Sequence, residues 1–196
     1  MTLYKNRDKF SSLSIRIGEV FSELGLTPNQ WTFMSLVFAV ISVYFITQYS
    51  FLLAGIFVLI TIFLDVVDGS VARATRKSTT KGAYLDTVVD RYVEAILILG
   101  LLVITLPMIF FPASIWLFLY FFGSIMTTYV KAAAKEKDLT KKEIKGGLIE
   151  RTDRMIILLV GIFLASLSIY YLAYVVVLLA ILSNITVLQR IGIALR

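Results

Sequence analysis

The sequence predicts an all-α integral membrane protein: six transmembrane helices with an N-terminal interfacial amphipathic helix. Three observations carry that prediction. Of 196 residues, 59% are hydrophobic and mean hydropathy is +0.88, more apolar surface than a water-soluble domain can hide. Six apolar stretches, near 30–49, 51–72, 82–106, 113–134, 150–167 and 169–190, approach the ~20 residues a helix needs to cross a bilayer. All 19 lysines and arginines fall on one side of a chain threaded through those six spans.

Residues 1–26 are expected to form the interfacial helix. Phe10, Leu13, Ile17, Val20, Phe21 and Leu24 recur at spacings that place them on one helical face, and Lys5, Arg7, Lys9 and Arg16 add basic charge. The stretch has no continuous apolar core of the kind a cleavable signal peptide carries. Gly25 ends this helix, and Thr27-Pro28-Asn29 starts the next, with proline near a helix N-terminus. Residues 27–196 are expected to form the six-span domain. The turns at 48–51, 106–114 and 167–170 contain no charged residue. The opposite ends hold Arg73, Arg76, Lys77 and Lys81, then Lys131, Lys135, Lys137, Lys141, Lys142, Lys145, Arg151 and Arg154, and finally Arg190 and Arg196. The positive-inside rule makes that side cytoplasmic, with both termini facing the cytoplasm across the cell membrane. The acidic residues lie on or near the same side. The sequence shows no internal repeat, low-complexity segment or second domain.

Composition also limits the chemistry. There are no cysteines and no histidines, so disulfides and thiolate or imidazole metal sites are excluded. Any metal must be held by carboxylates, which suits hard cations such as magnesium, manganese or calcium. The net charge of +6 points to membrane lipids with anionic headgroups rather than to nucleic acid.

The residues that carry chemistry concentrate in 65–90, DVVDGSVARATRKSTTKGAYLDTVVD. On a helix Asp65, Asp68, Gly69, Ala72 and Arg73 share an arc of about 140°. Gly82, Asp86 and Asp90 form one stripe on the following helix, and the short connection makes the two helices antiparallel neighbours. Four carboxylates converging at a membrane boundary repel one another unless cations neutralise them. One or two hard divalent ions would do so, and a paired-metal centre is a common clamp for phosphoryl transfer. Gly69 clears space for a substrate, and Arg73 can grip a phosphate bidentately. Simple pairing of the aspartates with Arg73, Arg76, Lys77, Lys81 and Arg91 is the plainer reading. It leaves the matching of two stripes and the glycine on the same face unexplained.

The segment resembles the CDP-alcohol phosphatidyltransferase family, whose motif is D-x2-D-G-x2-A-R-x8-G-x3-D-x3-D. Asp65, Asp68, Gly69, Ala72, Arg73, Gly82, Asp86 and Asp90 match it without a gap. The resemblance implies that Asp65, Asp68 and Asp86 bind one divalent metal ion, and that Asp65, Asp86 and Asp90 share a second, Mg2+ or Mn2+. It makes Asp90 the general base. It assigns Asp68, Gly69, Arg73 and Thr79, with Asn29 and Thr32 at the start of the first span, to the CDP-lipid. It also implies a homodimer. A lipid phosphate would pass from CDP-diacylglycerol or CDP-archaeol to an alcohol, with release of CMP.

Cations on the fourth, fifth and sixth spans bear on the acceptor. Arg151 and Arg154 are i, i+3 neighbours, and with Lys131 and Arg190 they can hold a phosphate-bearing alcohol. Lys131-Ala132-Ala133-Ala134-Lys135 and Glu150-Arg151-Thr152-Asp153-Arg154 are similar to the branch of the family that acts on inositol phosphate. Ala133 stands where that branch carries a second cation, and glycerol 3-phosphate, also a phosphate-bearing alcohol, is the competing acceptor. A divalent-cation transporter is the reading from a different class. It accounts for the carboxylates but not for Gly69, Arg73 and Gly82, and the acidic residues lie at one face rather than near the midplane.

Overall fold

The computed structural model describes residues 7–140, 144 and 146–195, with side chains described from Ser14 onward. Lys5, Lys141, Lys142, Lys145 and Arg196, and the side chains of Arg7, Lys9, Phe10 and Leu13, lie outside the described residues. Seven helices are described: α1 (Arg7–Ser22), α2 (Pro28–Thr47), α3 (Phe51–Ala74), α4 (Thr80–Val103), α5 (Ala113–Glu136), α6 (Arg151–Ala165) and α7 (Ile169–Ala194). There is no β-strand among the described residues, only an isolated bridge between Ile109 and Phe111. Helices α2, α3, α5 and α7 are long and apolar enough to cross a membrane. Helix α4 is as long as α3 and α5, but its first half is charged, and α6 has 15 residues.

Local chemistry explains the boundaries. Gly25 takes a left-handed φ of 72° after α1, a conformation glycine adopts without steric cost. At the start of α2 the Thr27 N–H and hydroxyl both donate to the Gln30 side-chain oxygen, at 2.7 and 3.0 Å, and Pro28 occupies the first turn. Helix α3 ends where Lys77 N–H reaches back to the Ala72 carbonyl at 3.0 Å and Arg76 adopts a φ of 54°. Thr79 caps α4, its hydroxyl oxygen accepting the Gly82 N–H at 3.0 Å.

The chain divides into two compact units. The first comprises residues 1–42 and 56–93, and the second 43–55 and 94–196. In the first, Trp31, Leu64, Val67 and Val71 form a buried core, with Ile17, Phe21, Met34 and Ile60 packed against it. The apolar face expected for α1 therefore splits. Ile17 and Phe21 turn into the core, whereas Val20 and Leu24 are each 63% exposed. In the second unit α5 and α7 pack closely: Asn184 donates to the Leu119 and Ala180 carbonyls at 2.9 and 2.8 Å, opposite Gly123. Outward-facing apolar residues run along the long helices, among them Val37, Val40 and Tyr44 on α2 and Leu59, Phe63 and Val66 on α3. A water-exposed surface does not sustain that much contiguous apolar area, whereas lipid does.

Candidate functional site

In the first unit the two acidic stripes of α3 and α4 meet. One carboxylate oxygen from each of Asp65, Asp68 and Asp86 lies within 4.8 Å of the others. Asp90 follows Asp86 by one turn on α4 and is half-buried, outside that trio. Asp68 is 5% exposed and accepts a 2.7 Å hydrogen bond from the Thr32 hydroxyl. Thr32 also donates to the Pro28 carbonyl at 3.1 Å, so the first turn of α2 is tied to a carboxylate of α3.

Two of the trio, Asp68 and Asp86, line an open cleft of about 220 Å³. Asp68, Gly69, Ala72 and Arg73 line it from α3, and Thr79, Gly82, Ala83 and Asp86 line it from the start of α4. Pro28, Asn29 and Thr32 contribute from α2, and Lys77 and Ser78 from the α3–α4 turn. Every residue expected to contact the CDP-lipid is on this wall. The glycines make room for it. A Cβ at Gly69 would lie 3.3 Å from an Arg73 guanidinium nitrogen, and one at Gly82 would lie 3.1 Å from the Thr79 hydroxyl and 3.6 Å from the Asn29 side-chain oxygen.

The donor set fits a hard divalent cation. Opposite oxygens around a magnesium-sized ion are about 4.2 Å apart, twice a metal–oxygen distance of about 2.1 Å. Carboxylates already within 4.8 Å close on such an ion with small side-chain movements. Without thiolate or imidazole nearby, magnesium and manganese suit the site better than zinc.

The cations expected to hold an acceptor lie in the second unit, where Arg154 and Arg190 are buried. Arg154 is 1% exposed. Its Nε and Nη2 donate to the two carboxylate oxygens of Glu94 at 2.8 and 3.1 Å, a bidentate pair of the kind arginine forms best. The Tyr120 hydroxyl donates to the same carboxylate at 3.2 Å. Arg190, 3% exposed, donates to the Gly146 and Thr127 carbonyls at 2.9 and 2.8 Å. It thereby fastens the α5–α6 connection to α7. Gln189 and Thr186 hold the same connection, accepting the Leu148 and Ile149 N–H groups at 2.9 and 3.3 Å. Lys131 and Arg151 are half-buried.

Glu94 is the residue that sequence reasoning missed. It continues the Gly82, Asp86, Asp90 stripe by one further turn, and a carboxylate inside an apolar helix requires a partner. That rule was the available signal. The identity of the partner, 60 residues away, was not available from spacing.

Residues 25–189 match the family described as CDP-alcohol phosphatidyltransferase. The chain is 35% identical over 191 residues to the archaetidylinositol phosphate synthase of Pyrococcus horikoshii, covering 96% of this chain and 94% of that one. It is 31% identical over 195 residues to the phosphatidylinositol phosphate synthase of Corynebacterium glutamicum, covering 91% and 82%. Two crystal structures of the Mycobacterium tuberculosis phosphatidylinositol phosphate synthase share the fold. The one with CDP-DAG bound superposes with a TM-score of 0.79 at 27% identity, covering 93% and 94% of the two chains. The complex with manganese and citrate gives 0.80 at 28%, covering 92% and 88%.

Proposed function

The chain belongs to the CDP-alcohol phosphatidyltransferase family and is a transferase, and from that premise we propose that it moves a lipid phosphate from a CDP-lipid onto inositol phosphate, releasing CMP. The donor is CDP-diacylglycerol or CDP-archaeol. The observation that carries this reading is the carboxylate trio beside a cleft that Asp68 and Asp86 line together with every residue expected to contact the CDP-lipid.

Each residue has a role in the proposed reaction. Asn29, Thr32, Asp68, Gly69, Arg73 and Thr79 hold the CDP part, with the Arg73 guanidinium against the pyrophosphate. Asp65, Asp68, Asp86 and Asp90 hold two divalent ions, Mg2+ or Mn2+, which when bound offset the charge of the pyrophosphate. Asp90 removes the proton from the acceptor hydroxyl. That oxygen then forms a bond to the lipid-linked phosphorus as the bond to the bridging pyrophosphate oxygen breaks, and CMP leaves. Lys131 and Arg151 bind the acceptor phosphate. Arg154 and Arg190, expected to join them, contribute from buried positions by holding α6 and the Gly146 loop in place. The CDP-DAG and the manganese bound in the mycobacterial complexes support this reading. So does the product for which the synthases of P. horikoshii and C. glutamicum are named.

Helices α2 to α7 cross the cell membrane six times, α1 lies in the interface, the active site and both termini face the cytoplasm, and the protein works as a homodimer. The one-sided distribution of basic residues supports the orientation.

The test is CMP release by purified protein given CDP-diacylglycerol or CDP-archaeol with magnesium, against a panel of acceptors. Release with inositol phosphate and a phosphoinositide product is expected. Release only with glycerol 3-phosphate would reassign the acceptor, and metal flux into liposomes without CMP would replace the transferase reading for this site with transport.

A further inference from the structure

Helix α1 belongs to no part of the motif, yet it touches the motif directly. Ser14, Ile17, Gly18 and Phe21 occur at i, i+3, i+4 and i+7, a helical stripe. Ile17 and Phe21 enter the core of the first unit. The other two positions meet α3. Gly18 is buried, and a Cβ there would overlap the Ser70 carbonyl oxygen and lie 2.8 Å from the Ala74 Cβ. The backbones of α1 and α3 therefore approach as closely as a glycine allows. One turn earlier, the Ser14 hydroxyl lies 2.9 Å from the Ser70 hydroxyl and accepts a 2.7 Å hydrogen bond from Arg73 Nη2. Ser70 itself donates to the Val66 carbonyl at 2.7 Å, and its oxygen is 3.4 Å from the same arginine nitrogen.

Arg73 is otherwise exposed at the mouth of the cleft. An arginine on a solvated helix end samples many rotamers, and ordering it costs side-chain entropy each time a ligand binds. With Nη2 fixed by Ser14, the guanidinium lies over Gly69, where a Cβ would be 3.3 Å from Nη1 and 3.6 Å from Nη2. Preorganisation of that kind strengthens binding without adding a contact.

We infer that Ser14 is a positioning residue for CDP-lipid binding, and that α1, seated on α3 through Gly18, is part of the nucleotide site. This rests on the reading of Arg73 as a pyrophosphate ligand. In that arrangement the N-terminal helix aligns the guanidinium that receives the headgroup, and displacement of α1 loosens that guanidinium.

A double-mutant cycle read out by CDP-diacylglycerol binding to the full-length protein in detergent micelles with magnesium tests it. Arg73→Ala is expected to weaken binding about 100-fold, and Ser14→Ala about fivefold. Ser14→Thr keeps the hydroxyl and is expected to restore parental affinity. In the Arg73→Ala background Ser14→Ala is expected to add nothing, because its target is gone. An additive loss in the double variant, or parental affinity in Ser14→Ala, would overturn the inference while leaving Arg73 as a ligand. Parental affinity in Arg73→Ala would instead remove the premise about Arg73.

Discussion

Two sets of buried or half-buried charge sit in this protein, and they are built on opposite principles. In the first unit three carboxylates of like sign gather within 4.8 Å beside an open cleft. In the second, one carboxylate and one guanidinium, each 1% exposed, satisfy each other bidentately, with Tyr120 adding a third hydrogen bond. Like charges assembled against their own repulsion form a place that a bound cation would stabilise. An opposite pair sealed in an apolar interior satisfies itself and ties its helices together. The contrast separates a site from a strut although both use acidic residues of α4.

That contrast can be broken in order of expected effect. Asp86→Asn removes a member of the like-charged trio; CMP release is expected to fall on the order of 10³-fold, while the melting temperature holds or rises as repulsion is relieved. A fall in melting temperature with activity retained would make the trio a strut as well. Glu94→Gln leaves Arg154 as an uncompensated buried charge and is expected to cost about 3 kcal/mol of stability, measured by thermal or denaturant unfolding in detergent; an unchanged midpoint would contradict the sealed-pair description. Gly147→Ala should cost about 2 kcal/mol, because φ is 117° there and the new methyl would lie 2.5 Å from a Thr186 methyl. Its kinetic signature is a raised KM for the acceptor with the KM for CDP-lipid unchanged. Thr32→Val deletes the hydroxyl that donates to Asp68 and is expected to lower CMP release about tenfold, with stability little altered.

The two regions also differ in how far they could be read from the chain. The trio was legible because its members are fixed by spacing: Asp65 and Asp68 share a helical face, Asp86 continues from Gly82, and a short turn makes the two helices neighbours. Several helix boundaries were legible from the length of the apolar runs. Expected spans at 51–72 and 113–134 became α3 (Phe51–Ala74) and α5 (Ala113–Glu136). What remained hidden depends on which helix faces are apposed at long range. Spacing shows that Arg151 and Arg154 are neighbours, but not that Arg154 turns inward to Glu94 while Arg151 stays half-buried. Nor does it show that Gly18 and Ser14 seat α1 on α3, since a small residue in an amphipathic helix carries no label for its partner. The apolar count placed Val20 and Leu24 with Ile17 and Phe21, and packing divided them.

Every role proposed for the cleft depends on Asp65, Asp68 and Asp86 gathering to receive a divalent cation. Titration of the purified protein with Mn2+, with free manganese followed by electron paramagnetic resonance, tests that claim most directly. Saturable binding by the parent protein is expected, with at least about tenfold weaker binding in Asp65→Asn and Asp86→Asn. Binding by those two variants that matches the parent would contradict it.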